Sequence, residues 1–324
     1  MTVHDPEKGS RFSERIMAER RDRAPWRFFR HGSGSMSALV FATGAVALWS
    51  TNALVGKSLL ASHPVSQVQF LQFVGAALVF AAIRLMSREK ATAITASTAL
   101  VPLAVGFIGL VGTMVLQYIA FASMPVIEAN LVAYTWPLMV AAAVIAFENP
   151  RRPALLGLAA ALGFVGVALV ISGGRDRTWF QGDLAGYLCA FGSALCMAFY
   201  SVMVGRLATS PDRLLLPSSL VGVALTLMWS AREGIAWPTG VDLALGLYLG
   251  AGPMGLGYYF WSRALKLGGS AKVAVIAYLT PIASTLLLTL SGERLTTTAI
   301  AGAVLVVGSC IAVGLERSEA ENYV

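Results

Sequence analysis

The sequence predicts an all-α integral membrane protein of ten transmembrane helices, arranged as two inverted five-helix repeats around a central cavity. Three observations carry that expectation: apolar runs of spanning length, a one-sided placement of lysine and arginine, and a helix-breaking phrase that occurs twice. Of 324 residues, 56% are apolar and 13% charged, against about 45–50% and about 25% in soluble globular chains. A chain this poor in polar side chains cannot cover its surface for water, so part of its solvent is lipid.

Crossing the hydrocarbon core takes roughly 20 predominantly apolar residues as a helix. Such runs lie near 36–60, 65–86, 97–122, 125–147 and 153–172, and again near 182–206, 213–231, 241–265, 270–291 and 297–315. Lipid offers backbone groups no hydrogen bonds, which favours helices. The alternating segments of a membrane β-barrel are not seen. Connections such as "SHP" at 62–64 and "NPRR" at 149–152 are short, so consecutive helices run antiparallel.

Residues 1–35 read as a basic cytoplasmic tail. A secretory signal would place an apolar stretch directly after its basic start, and this segment does not. Basic residues around Trp26, Phe28 and Phe29 suit either a juxtamembrane anchor at headgroup level or an unstructured tail. With the N-terminus inside, 19 of the 24 lysines and arginines fall on the cytoplasmic side and 4 outside, while Lys57 lies near the outer end of the first helix. Both termini are therefore expected in the cytoplasm, 316–324 forming a short C-terminal tail. The same bias accounts for the net charge of +7 without a nucleic-acid partner. Cys189, Cys196 and Cys310 all sit in apolar runs, so neither a disulfide framework nor a metal or other cofactor is expected.

"EANLVAYTWP" at 128–137 and "KVAVIAYLTP" at 272–281 share Ala-Tyr-x-x-Pro, 144 residues apart. Other matches keep the same order. Pro64 and "VG" at 74–75 match Pro211 and "VG" at 221–222; "VGK" at 55–57 matches "VGR" at 204–206; Gly157 and Gly163 match Gly302 and Gly308. Ordered matches at a nearly constant offset indicate an internal duplication, with one copy over 36–172 and the other over 182–315. Each copy has an odd number of helices, so the second enters the membrane from the opposite side. In transporters built this way, the site lies near the midplane between the copies.

Pro137 and Pro281 each lie near the middle of their runs. A mid-helix proline removes the partner of the carbonyl four residues earlier, here that of Ala133 or Ala277. Single prolines kink many membrane helices at little consequence. A symmetric pair at the midplane points instead to helix breaks with a gating role, each copy supplying one wall of a central site.

The candidate substrate-binding residues are Trp49, Asn52, Gln117, Asn130, Tyr134, Trp136, Tyr258, Trp261 and Tyr278. Asn130, Tyr134 and Pro137 share one helical face, as do Gln69 with Gln72, Gly109 and Thr113 with Gln117, and Tyr258 with Trp261. Buried amides more often tie helices together than touch ligand. The aromatics are stronger candidates because they lie too deep for an interfacial belt. Gly157, Gly163, Gly166, Gly302 and Gly308 are read as close-packing positions. No carboxylate lies mid-span; Glu128, Glu148 and Glu293 lie near helix ends. Glu128 is a candidate proton or gate site, and equally a carboxylate matched to its helix dipole. A substrate ammonium would then rely on aromatic faces and carbonyls, which suits a small zwitterion with an apolar body. Without a central His, Asp or Glu, intramembrane hydrolysis lacks its machinery, so an enzyme is not expected.

"AYLTPIASTLLLTLSGERLT" at 277–296 resembles the typical second-half phrase of the drug/metabolite transporter superfamily, in its EamA-type ten-helix permeases. The first half echoes it with "AYTWPLMVAAAVIAFE" at 133–148. "LWST" at 48–51, I-E-x-x-x-V-x-Y-x-W-P from Ile127 to Pro137 and G-x-x-Y-x-x-W from Gly255 to Trp261 are most similar to the aromatic amino-acid exporter branch. The resemblance implies export of aromatic amino acids, extending to related small amphipathic metabolites or drugs, across the bacterial inner membrane by alternating access. A permease of the same superfamily for another metabolite is the alternative. Phosphorylated substrates are disfavoured because no lysine or arginine lies mid-span. The implied partners are the small-molecule substrate and the bilayer; a monomer suffices, and the oligomeric state stays open. The long polar N-terminal tail departs from the family pattern, which leaves its role open.

Overall fold

A computed structural model describes residues 33–87, 96–148, 150, 152–172, 183–233, 236–290 and 296–321. The tail with Trp26, Phe28 and Phe29 lies outside the described residues, as does Glu293. The described chain is helical in the order α1 Ser33–Trp49, α2 Asn52–Leu60, α3 Val65–Met86, α4 Ala96–Gly106, a π-helical turn Phe107–Gly112, α5 Thr113–Ser123, α6 Val126–Ala133, α7 Trp136–Glu148 and α8 Pro153–Ser172. It continues with α9 Leu184–Val204, α10 Pro211–Glu233, α11 Gly240–Leu249, a second π-helical stretch Gly250–Gly257, α12 Tyr258–Gly268, α13 Ser270–Ile276, α14 Leu279–Leu290 and α15 Thr297–Glu321. Seven helical runs among the described residues are long and apolar enough to cross a membrane: Met36–Leu60, Val65–Met86, Leu100–Ser123, Val126–Glu148, Pro153–Ser172, Leu184–Val204 and Pro211–Glu233. Val273–Leu287 and Thr297–Ala312 are shorter apolar stretches. Large apolar side chains such as Leu78, Leu158, Leu188 and Val304 face outward, a surface that only lipid would solvate well.

The interior is built by helices that are distant in sequence. α8 packs on α15, α3 on α10, α5 on α9 and α1 on α12, while α13 lies against α7. Glycine makes close backbone approach possible at the α8–α15 crossing and where the second π-helical stretch meets α3. A Cβ on Gly166 would sit 2.7 Å from the Gly302 carbonyl, and one on Gly250 would sit 2.3 Å from the Gln72 carbonyl. Gly163 holds the Tyr278 ring. Gly157 and Gly308 were expected to play the same role but do not: a Cβ on Gly157 would meet only an ordinary contact with Ile145, and one on Gly308 would meet nothing within 4 Å.

The breaks in the helices have local causes. Between α1 and α2, Ser50 Oγ donates to the Ala47 carbonyl (2.7 Å) and Thr51 Oγ1 to that of Leu48 (2.9 Å). Such back-bonds draw carbonyls away from the helix ladder and bend it. At the first Ala-Tyr-x-x-Pro phrase the helix opens at Tyr134–Thr135, where Thr135 Oγ1 bonds the Val132 carbonyl at 2.7 Å. At the second it opens at Ala277–Tyr278. Both breaks precede the prolines that cause them, as the missing N–H requires. The Ala277 carbonyl, expected to be left without a partner, instead accepts the Thr280 N–H at 3.0 Å in a tightened turn.

Candidate functional site

A cavity of about 570 Å³ opens where the broken helices meet, within the range of small-molecule pockets. Its aromatic wall begins with Trp49 at the last turn of α1. The Trp49 indole Nε1 donates to the Pro253 carbonyl at 2.9 Å, reaching across to the second π-helical stretch. The ring also packs against Tyr258 (centroids 5.9 Å apart) and Trp261 (5.2 Å). Trp136, at the start of α7, meets Trp261 edge-on at 5.4 Å. Trp49, Trp136 and Tyr258 face the cavity; Trp261 is fully buried behind them.

Polar groups line the rest. Asn52, Gln117, Asn130 and Tyr134 all contribute to the wall, with Thr113 and Ser193 beside them. The second half adds Pro281, Ser284 and Thr285. Ser284 Oγ donates to the Ser50 carbonyl at 2.6 Å, so the break in the first helix is bonded to the helix that follows the second phrase.

A buried relay stands behind Asn52. Gln69 Nε2 donates to Gln72 Oε1 (2.6 Å), Gln72 Nε2 to the Tyr118 oxygen (2.5 Å), and the Tyr118 hydroxyl to Asn52 Oδ1 (3.0 Å). Gly56 gives Tyr118 its place, since a Cβ there would fall 2.6 Å from the hydroxyl. The relay fixes the Asn52 carbonyl inward and leaves its amide N–H groups for the cavity. Tyr118→Phe is expected to strand the buried Gln72 amide and lower stability by about 1–3 kcal/mol. Thermal unfolding in detergent reads this directly, and an unchanged midpoint would show that the relay contributes nothing.

Of the candidates from the sequence, the cavity therefore gathers Trp49, Asn52, Gln117, Asn130, Tyr134, Trp136, Tyr258 and Pro281. It does not gather Trp261, Tyr278, Pro137 or Glu128. Trp261 supports the aromatic wall from behind and bonds Ser201 Oγ at 3.1 Å. Tyr278 turns the other way, its ring against Gly163 and its side chain fully buried. Pro137 is buried within α7. Glu128 is buried in the first turn of α6 and accepts from the Tyr187 hydroxyl of α9. Its neighbours Val126 and Ile127 line the cavity in its stead.

Several wall residues went unrecognised in the sequence. Ser284 and Thr285 lie one turn beyond Pro281, where helical spacing from the break could have found them. Lys57, placed from the sequence only near the outer end of the first helix, also lines the cavity. The two π-helical segments left no periodic signal.

An all-helical chain with several spanning helices and a central cavity walled by tryptophan, tyrosine and amides defines a membrane transporter. The EamA-like transporter family model matches it twice, over residues 36–172 and 184–315, and the chain belongs to that family. The aromatic amino acid exporter YddG of Ancylobacter novellus is 30% identical over 290 residues, covering 87% of this chain and 98% of that protein. A solved crystal structure 27% identical in sequence superposes with a TM-score of 0.76, covering 87% of this chain and 99% of its own.

Proposed function

We infer that this protein exports aromatic amino acids, with related small amphipathic metabolites or drugs as further substrates, across the bacterial inner membrane. The observation that carries this reading is the aromatic wall formed by Trp49, Trp136 and Tyr258 beside amide and hydroxyl groups, with no acidic side chain among the described lining residues. Flat apolar rings stack on such a wall, and a zwitterion's polar groups find hydrogen bonds beside it. The similarity to an aromatic amino acid exporter over nearly its whole length supports the same substrate class.

The mechanism in this reading is alternating access between two inverted five-helix repeats, 36–172 and 182–315, making ten spans. Three features favour it. The family model matches two successive segments. The helix breaks at Tyr134–Thr135 and Ala277–Tyr278, and the π-helical segments starting at Phe107 and Gly250, recur at the same offset of 143 residues. The main packing pairs join early helices to late ones, as halves that rock against each other require.

The distribution of lysine and arginine puts both termini in the cytoplasm. The cavity runs to the end of the bundle that carries Lys57, Ser172 and Thr296, which is the outer end in this orientation. At the opposite end Arg206 bonds Glu148 at 2.5 Å, and Arg84 pairs with Asp212 at 3.4 Å. The conformation thus reads as outward-facing, closed below the tryptophans. In this reading the segments 1–35 and 316–324 lie on the inner side, the second beginning within the last turns of α15.

The test is uptake and counterflow of labelled phenylalanine and tryptophan in liposomes containing the purified protein, with and without a proton gradient. Saturable, mutually competed transport that ignores the gradient is expected. Transport of neither amino acid would overturn the substrate assignment, and strong gradient dependence would return Glu128 to the mechanism as a proton carrier.

A further inference from the structure

We propose that Lys57 and Asn52 form a subsite for a monocarboxylate at the mouth of the cavity, so that the wall selects acids and zwitterions over amines. The inference rests on the transport reading for its context but not for its geometry. Lys57 carries the only charge among the described lining residues. Among the described residues no ion pair or hydrogen bond engages its ammonium, and no carboxylate lies on the wall to neutralise it. An uncompensated cation on a cavity wall raises the local potential and draws an anionic group.

Asn52 supplies the complementary donor. Its Oδ1 is held by Tyr118, which is oriented by Gln72 and in turn Gln69. The amide nitrogen therefore presents N–H groups to the cavity, and it has no acceptor among the described residues. An amide fixed by three buried groups is a preorganised donor, unlike a free surface asparagine.

The two groups also stand in a useful order. Trp49, Asn52 and Lys57 follow one another along α1 and α2, and all three face the same cavity. Trp49 and Lys57 are separated by eight residues that span the Ser50–Thr51 break. Asn52 and Lys57 are five residues apart on α2, about 140° around its axis, so it is the length of the lysine stem that carries its ammonium to the wall that Asn52 also lines. A ring stacked on Trp49 thus directs its carboxylate outward to the Asn52 amide and the Lys57 ammonium. One lysine balances one negative charge, which favours a monocarboxylate over a phosphate dianion.

The probes are 3-phenylpropionate, which has a carboxylate and no ammonium, and phenylethylamine, which has the reverse. Binding to the full-length protein in detergent is read by quenching of tryptophan fluorescence, since Trp49 and Trp136 line the cavity. The carboxylate probe is expected to bind at least about tenfold more tightly than the amine, a margin worth about 1.4 kcal/mol. Lys57→Gln should abolish that preference, weakening the carboxylate probe and not weakening the amine, Lys57→Arg should retain most of it, and Asn52→Ala should reduce it. Equal binding of the two probes by the native protein, or an unchanged preference in a folded Lys57→Gln variant, would overturn the subsite. The transport reading fails separately: a Lys57-dependent preference for 3-phenylpropionate, without phenylalanine transport in liposomes, would support the subsite and reject the amino-acid substrate.

Discussion

Gly250→Ala is expected to yield little stable protein, and whatever folds should melt well below the native chain. The reason is a contact between backbones. The added methyl would lie 2.3 Å from the Gln72 carbonyl oxygen and 2.8 Å from the Gly75 Cα, and no flexible side chain could turn aside to relieve it. α3 and the second π-helical stretch would have to separate along their crossing. Overpacking of a well-packed core typically costs about 1–3 kcal/mol, and a clash against main chain belongs at the upper end. The damage would also spread toward the cavity, because Gln72 is the middle member of the relay that orients Asn52. Gly308→Ala is the matched control: nothing lies within 4 Å of its new methyl, and alanine is the better helix former by roughly 0.5–1 kcal/mol. Melting midpoints of the two variants in one detergent should move in opposite directions. Equal midpoints would show that the α3 crossing is not the tight packing site described.

Much of the architecture was legible in the sequence because membrane helices obey two coarse rules, length and apolarity, that composition records directly. The run at 153–172 was bounded correctly from sequence, since α8 spans Pro153–Ser172 without interruption. Helix breaks were legible only where proline marked them. The Ser50–Thr51 break carries no proline, and its cause is a pair of hydroxyls that bond carbonyls within their own turn. Serine and threonine occur in many unbroken helices, so that signal is weak before the structure is seen. The same limit applies to the site. Face-sharing grouped Asn130 and Tyr134 with Pro137, yet only the first two line the cavity, and spacing along one helix cannot tell which face meets it. Tyr134 lines it whereas Tyr278, its counterpart in the second phrase, is turned into the packing beside Gly163. The shared Ala-Tyr-x-x-Pro phrase thus leaves its two tyrosines in different surroundings, a difference that the sequence match alone conceals.

Trp49→Ala is expected to raise the half-saturation concentration for tryptophan and phenylalanine about tenfold to a hundredfold. Trp49 is the wall residue that joins the most parts of the site: it faces the cavity, packs on Tyr258 and Trp261, and bonds the Pro253 carbonyl. Aromatic pairing contributes about 0.5–1.5 kcal/mol beyond area burial, and burying an aromatic side chain contributes about 1.5–3 kcal/mol. Their sum, about 2–4.5 kcal/mol, is an upper bound of roughly thirtyfold to a thousandfold at about 1.4 kcal/mol per tenfold; the ligand ring keeps its contacts with the other walls after truncation, which brings the loss down to the stated range. Trp49→Phe separates the ring from the hydrogen bond. It keeps a stacking surface but leaves the Pro253 carbonyl without its donor, so affinity should fall only a few fold while the melting midpoint drops. If Trp49→Ala transports with native half-saturation and remains folded, the aromatic wall is packing and not a binding surface. If both variants lose maximal rate at constant half-saturation, the Trp49–Pro253 bond serves the rocking of the halves, and the ligand ring must stack elsewhere, with Trp136 the remaining indole on the wall.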